Sequence, residues 1–189
     1  LMPEFRAAPR GPTANRGAFF AVVPKREAII VREIALFQPD NFRPAGCTYT
    51  VRFKLSASHI TQLFYTPTAD IARNDITFSE KGWTKIAELP ATRIDPEREF
   101  RFVLEESVTV LESGGAFFAH CAGGNGVNGV CFSNKINSVQ ENQDLKVTDC
   151  RRSAQSVPFH QRFEGDQNFE WVGVLVYELD SAAMVKAAR

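Results

Sequence analysis

Several residue types are scarce in this chain of 189 residues: two Trp, three Tyr, two Met and three His. The His residues, His59, His120 and His160, are too far apart for an H-x3-H pair, and no C-x2-C occurs, so the usual zinc-ligand spacings are missing. Charge of one sign is not in excess. Lys+Arg and Asp+Glu both number 22, which leaves no global field to hold nucleic acid or an anionic membrane surface. Long apolar runs are missing too. The longest, Trp171 to Tyr177, falls far short of the roughly 20 residues a spanning helix needs. No Asn-x-Ser/Thr acceptor appears. Four cysteines in a chain of this length are too few for a disulfide-dense scaffold.

What the chain does have is phenylalanine, 16 residues, and a period of two. Tyr49, Val51, Phe53 and Leu55 alternate with Thr50, Arg52 and Lys54, a pattern that gives a strand one buried and one wet face. Phe100, Phe102 and Leu104 alternate with Arg101 and Val103 in the same way. Further strands are expected at Phe19–Val23, Ala28–Phe37, Trp83–Leu89, Val108–Val110, Ala116–Cys121, Val130–Phe132 and around Leu145 and Val147. In Trp83–Leu89, Trp83, Ala87 and Leu89 are expected on one face. Trp171–Leu179 is apolar on both faces, which belongs to a strand covered on both sides. Many short strands with little helix predict an all-β, antiparallel β-sandwich (jelly-roll-like) with rings filling the interlayer space.

Three parts are expected. Residues 1–16 read as an irregular extended arm, because Pro3, Pro9 and Pro12 oppose helix and sheet pairing alike. Residues 17–180 form a single sandwich. Residues 181–189 read as a short C-terminal helix capped by Asp180 or Ser181. Ordering sixteen arm residues costs roughly 1–2 kcal/mol each in backbone entropy, so the arm is expected to be held by a partner protein. Leu1 and Phe5 would be its apolar anchors, and Arg6, Arg10 and Arg16 would reach carboxylates or polar head groups.

No catalytic set converges in the sequence. Gly124, Gly126 and Gly129 spell G-x-G-x-x-G, but a strand follows where a dinucleotide fingerprint needs a helix, so the segment reads as an Asn-Gly hairpin loop. That hairpin would bring Cys121 and Cys131 together as a disulfide. His120 and Cys121 should point to opposite faces of one strand. Asp95, Glu97 and Glu99, interleaved with Arg93 and Arg98, read as a solvated charged turn, and Glu105-Glu106 reads the same way. Phe64, Tyr65 and Trp83 are the aromatics available to stack a sugar.

The motifs Gly17-Ala18-Phe19-Phe20-Ala21-Val22, Ile29-Ile30-Val31, Gly82-Trp83-Thr84-Lys85-Ile86-Ala87, Asp144-Leu145-Lys146-Val147, Val157-Pro158-Phe159 and Trp171 to Glu178 resemble a β-sandwich module of algal proteins of unassigned function. The resemblance covers most of residues 17–179, implies a sandwich fold and carries no catalytic residues. Where such modules have a Gly-rich stretch before the Pro-Phe pair, this chain has Asp149-Cys150-Arg151-Arg152. The expected role is a non-catalytic structural or accessory subunit, without cofactor or metal, acting through protein contacts in a larger assembly. No nucleic acid or transmembrane segment is expected, and membrane association would come only through the complex. The alternative is a carbohydrate-binding module of a secreted or surface protein. The chain opens on Leu1, as expected after presequence removal for an organelle lumen or stroma or for secretion, or in a truncated piece.

Overall fold

The structure is a computed structural model. It describes residues 2–7, 12–15, 17–38, 47–55, 76–77, 83–91, 99–122, 130–136, 140–153, 160–161 and 169–180. These residues form strands and turns with no helix among them, and every pairing is antiparallel. In chain order the strands are β1 (Glu4–Ala7), β2 (Pro12–Asn15), β3 (Gly17–Pro24), β4 (Ile29–Phe37), β5 (Cys47–Lys54), β6 (Ile76–Thr77), β7 (Thr84–Ala91), β8 (Glu99–Val110), β9 (Gly115–Ala122), β10 (Val130–Ile136), β11 (Gln140–Glu141), β12 (Leu145–Ser153), β13 (His160–Gln161), β14 (Phe169–Trp171) and β15 (Gly173–Leu179).

Two sheets pack face to face as the expected sandwich. The smaller runs β1-β15-β4-β8. The larger runs β2-β10-β14-β12-β3-β9-β5-β7, with β11 against β12, and a separate ribbon joins β6 to β13. The inward half of the alternation read in β5 holds, with Tyr49, Val51 and Phe53 buried in the interlayer core and Leu55, past the end of the strand, 55% exposed. The other face is not wet as expected, since Thr50 is buried and Arg52 and Lys54 are half-buried. Phenylalanine fills the gap between layers. Phe20 stacks on Trp171 at 4.4 Å and on Phe117 at 5.3 Å, and Tyr49 packs on Phe100 at 5.1 Å.

Trp171 marks the point where the chain changes sheet. It stands opposite Phe132 of β10 in the larger sheet, whereas Gly173 stands opposite Leu36 of β4 in the smaller one. A ladder cannot continue through such a corner, and the Gln140 side chain replaces it. Its amide nitrogen donates to the Trp171 carbonyl and its oxygen accepts from the Trp171 N–H, both at 2.8 Å. Gly173 is required there, since a Cβ would lie 2.3 Å from Trp171 Cζ2 and 2.7 Å from the Ala35 carbonyl oxygen. From the corner onward β15 is buried on both sides, as its composition predicts. Trp171, Leu175 and Tyr177 face the interlayer core, and Val172, Val174 and Val176 form an outer cluster with Ala35 and Phe37.

Within the segment expected as an irregular arm, residues 4–7 and 12–15 are strands of the chain's own sheets. β1 pairs with β15, and β2 pairs with β10, so the N-terminal segment joins an edge of one sheet to an edge of the other. Proline is tolerated because both strands are edges: Pro3 precedes β1 and Pro12 opens β2. Phe5 is spent on the chain's own core, where it is buried and stacks on Trp171 at 6.3 Å. The expected helix over 181–189 lies outside the described residues.

Candidate functional site in a cleft between two sheet edges

Arg6 reaches a carboxylate of its own chain rather than a partner's. It donates to Glu99 at 3.0 Å, Arg101 donates to the same Glu99 at 2.8 Å, and Arg101 also pairs with Glu33 at 2.8 Å. Arg6 lies on β1 and Glu99 on β8, the opposite edges of a four-stranded sheet about 14 Å apart at ordinary strand spacing. Their side chains therefore meet over the two strands between, above Val174 and Ala35, which occupy the same cross-strand row as Arg6 and Arg101. The arginine stems roof the outer apolar cluster while their heads stay wet. Burial alone would raise the Glu99 carboxyl, but the guanidinium hydrogen bonds from Arg6 and Arg101 outweigh it and hold the group below its ordinary range. Glu99 is thus fixed within the sheet rather than free in a solvated turn.

A second polar cluster ties β15 to the turn between β11 and β12. Tyr177 donates its hydroxyl proton to Asp144 Oδ2 at 2.7 Å and accepts from the Asn142 amide at 3.0 Å. Asn142 Oδ1 in turn accepts from the N–H groups of Asp144 and Leu145, which shapes the turn between β11 and β12. Burial first, and then the hydrogen bond to the Asp144 carboxylate, pushes the Tyr177 phenol up to about 12.

Sequence-derived candidates separate on this frame. Trp83 is half-buried, its ring edge-on to Phe19 at 5.9 Å and Phe118 at 6.3 Å on the outer side of the larger sheet. It does not share a face with Ala87 and Leu89 as expected, because Ile86 is an extra residue between the Val51–Ala87 and Arg52–Lys85 pairs and reverses the alternation. Leu1, Arg10, Arg16, Phe64 and Tyr65 lie outside the described residues, as do Asp95 and Glu97. Cys121 is disulfide-bonded and Cys150 is a buried thiol. The side chain of Cys131, its expected partner, is outside the described set. The hairpin that suggested the pair is not formed, since β9 pairs with β3 and β5 and β10 with β2 and β14. His120 and Cys121 do point to opposite faces: Cys121 faces the interlayer core, and His120 packs beside Phe118 on the outer side.

An opening lies where neither sheet is closed. β7 is an edge of the larger sheet and β8 an edge of the smaller, and between them is a cleft of about 480 Å³. Its walls are Thr84 to Leu89 on one side and Val103 with Glu105 to Val108 on the other, with Phe53 at the base. Both walls are bulged. Besides the extra Ile86 on β7, Arg32 of β4 alone faces four residues of β8, Leu104 to Ser107. Three of those, Glu105, Glu106 and Ser107, are consecutively exposed. The bulge thus lifts two carboxylates to the cleft rim. Val103 and Leu89 are 67% and 40% exposed on its walls. Lys85 pairs with Glu88 at 2.9 Å, whereas Glu105 and Glu106 make no ion pair among the described residues.

Glu105 and Glu106 read from sequence as an ordinary solvated turn, and their place at the cleft was missed. The available signal was the run of polar residues from Glu105 to Ser107 interrupting an otherwise alternating stretch from Phe100 to Val110. No family model matches the chain, and no curated protein matches it by sequence. Among the described residues, no helix is long and apolar enough to cross a membrane.

Proposed function

We propose that this protein is a non-catalytic β-sandwich that works by contact, an accessory or structural subunit whose partner seats against the β7–β8 flank. The observation that carries the reading is the exposure of Leu89 and Val103 across one open cleft, where large apolar side chains of an interior-rich sandwich face solvent together. The Cys121 disulfide supports a compartment that permits such bonds, either an organelle lumen or the secretory route. The carbohydrate-binding alternative has less support: Trp83, its one described aromatic, already has its ring against Phe19 and Phe118.

The test is the size of the native particle. The wild-type chain, extracted gently from its source, should elute in a stoichiometric complex well above its own 21.1 kDa. A Leu89→Asp/Val103→Asp variant should fold and elute alone. A wild-type chain that elutes at its own mass would overturn the reading. Glycan-array binding lost on Trp83→Ala would favour the carbohydrate-binding alternative.

A further inference from the structure

Resting on that reading, we infer that the β7–β8 cleft takes an extended, basic peptide segment of a partner protein, added as a strand to the open sheet edges. Three observations point to a strand rather than a helix or a small molecule. First, β7 pairs only with β5, and β8 only with β4, so among the described residues each strand presents one unpaired edge toward the cleft. Second, the β7 wall runs from Thr84 to Leu89, six residues, which matches about 20 Å of extended chain. Third, no backbone ladder joins β7 to β8 among the described residues, and the bulges at Ile86 and at Leu104 to Ser107 interrupt the regular pairing of each strand beside the cleft, so that a peptide strand would add along one of these edges.

The charge of the walls fixes the chemistry of the occupant. The cleft residues include Glu88, Glu105 and Glu106 against the single cation Lys85, whose ammonium is already taken by Glu88. Two carboxylates at the rim are therefore left to face a ligand, beside the exposed Val103 and Leu89. A strand alternates its side chains between two faces. A peptide of alternating apolar and basic residues would lay its apolar face on Val103 and Leu89 and its Lys or Arg heads by Glu105 and Glu106. An acidic peptide would meet like charge in the same place.

The experiment uses the full chain and fluorescein-labelled peptides of about eight residues, the length of an ordinary strand. One alternates Val and Lys, one alternates Val and Glu, and one is the Val/Lys peptide with alternate backbone nitrogens methylated. Fluorescence anisotropy should show binding of the Val/Lys peptide only, weakening steeply from about 0.05 M to about 0.3 M salt. The Glu105→Lys/Glu106→Lys variant should weaken Val/Lys binding about tenfold or more, two surface contacts' worth, and gain affinity for the Val/Glu peptide. Methylation should remove binding, because it deletes the ladder donors while keeping the side chains. Equal binding of the two charge types, no binding of the Val/Lys peptide, or indifference to the charge-reversed variant would overturn the inference. A native complex that still depends on Leu89 and Val103 while no peptide binds would leave the subunit reading standing alone. Peptide binding by a chain that elutes as a monomer would leave only the peptide site.

Discussion

Leu175 and Val174 are consecutive residues facing opposite layers, so two substitutions measure whether β15 is covered on both sides. Leu175 is fully buried in the interlayer core, in register with Phe5 of β1 and Ile34 of β4. Leu175→Ala removes three carbons. At about 0.8 kcal/mol each, plus the cavity left behind, the loss should be about 3 kcal/mol within the usual 2–5 for such changes. Val174 is also fully buried, but in the outer cluster beneath the Arg6–Glu99–Arg101 roof. Val174→Ala removes two carbons and should cost about 1.5–2.5 kcal/mol if the roof excludes water. Leu55→Ala, at a residue 55% exposed, is the control and should stay within about 0.5 kcal/mol. In a domain of this size each kcal/mol moves Tm by about 2–4 °C, so the expected drops are about 6–12 °C for Leu175→Ala and about 3–10 °C for Val174→Ala. Guanidinium unfolding followed by tryptophan fluorescence supplies the free energies, with an unchanged m-value as the check that the unfolded state is the same. A Val174→Ala variant as stable as the Leu55→Ala control would refute the roof and leave β15 covered on one face only.

Three other outcomes are expected. Phe5→Ala should cost about 3 kcal/mol in chemical denaturation of the isolated chain, because the ring is buried against Trp171; an unaffected midpoint would return the N-terminal segment to the status of a loose arm. Gly173→Ala should cost at least about 1–3 kcal/mol, because its new methyl meets both a ring carbon and a backbone oxygen, and a neutral result would contradict the packing at the sheet corner. The folded-state pKa of Tyr177 lies above the ordinary 10.0 of an unfolded chain, so its contribution is complete below pH 10 and lost as pH climbs toward about 12. Stability measured across that window should fall in the wild type and fall less in Tyr177→Phe.

The fold was legible where a single face or a fully apolar strand decides the matter. The alternation of Tyr49, Val51 and Phe53, and the two-faced apolar run from Trp171 to Tyr177, both appear as read. What stayed hidden depends on register, which is set between strands and not within one. A one-residue insertion at Ile86 turns Trp83 away from Ala87 and Leu89, and nothing local to residues 83–89 announces it. The excess from Leu104 to Ser107 on β8 likewise turns what reads as a turn between two short strands into one twelve-residue strand with a bulge. The N-terminal prolines misled for a related reason. Proline removes the N–H donor on one side of a strand, and an edge strand needs donors on one side only. Arg6 and Glu99 are 93 residues apart, and no sequence pattern links them; only the four-strand order brings one over the other.

The four outer edges of the two packed sheets are treated differently, and the difference supports the contact surface proposed above. An exposed edge is a template for unwanted pairing, and proteins shorten it, cover it or break it. On one flank, β1 and β2 are four-residue strands from a single N-terminal segment, and Phe5 and Arg6 tie that segment into the core and the charged roof. On the other flank, β7 and β8 are long, eight and twelve residues, both are bulged, and among the described residues no strand pairs with their outer edges. Pro90 on β7 and the carboxylates of Glu105 and Glu106 on β8 discourage indiscriminate strand addition, yet Leu89 and Val103 beside them stay exposed. An edge built only to resist pairing would place charge or proline at those two positions as well. Charge at the rim with apolar side chains behind it fits the selective edge proposed above, one that favours a basic strand over an acidic one.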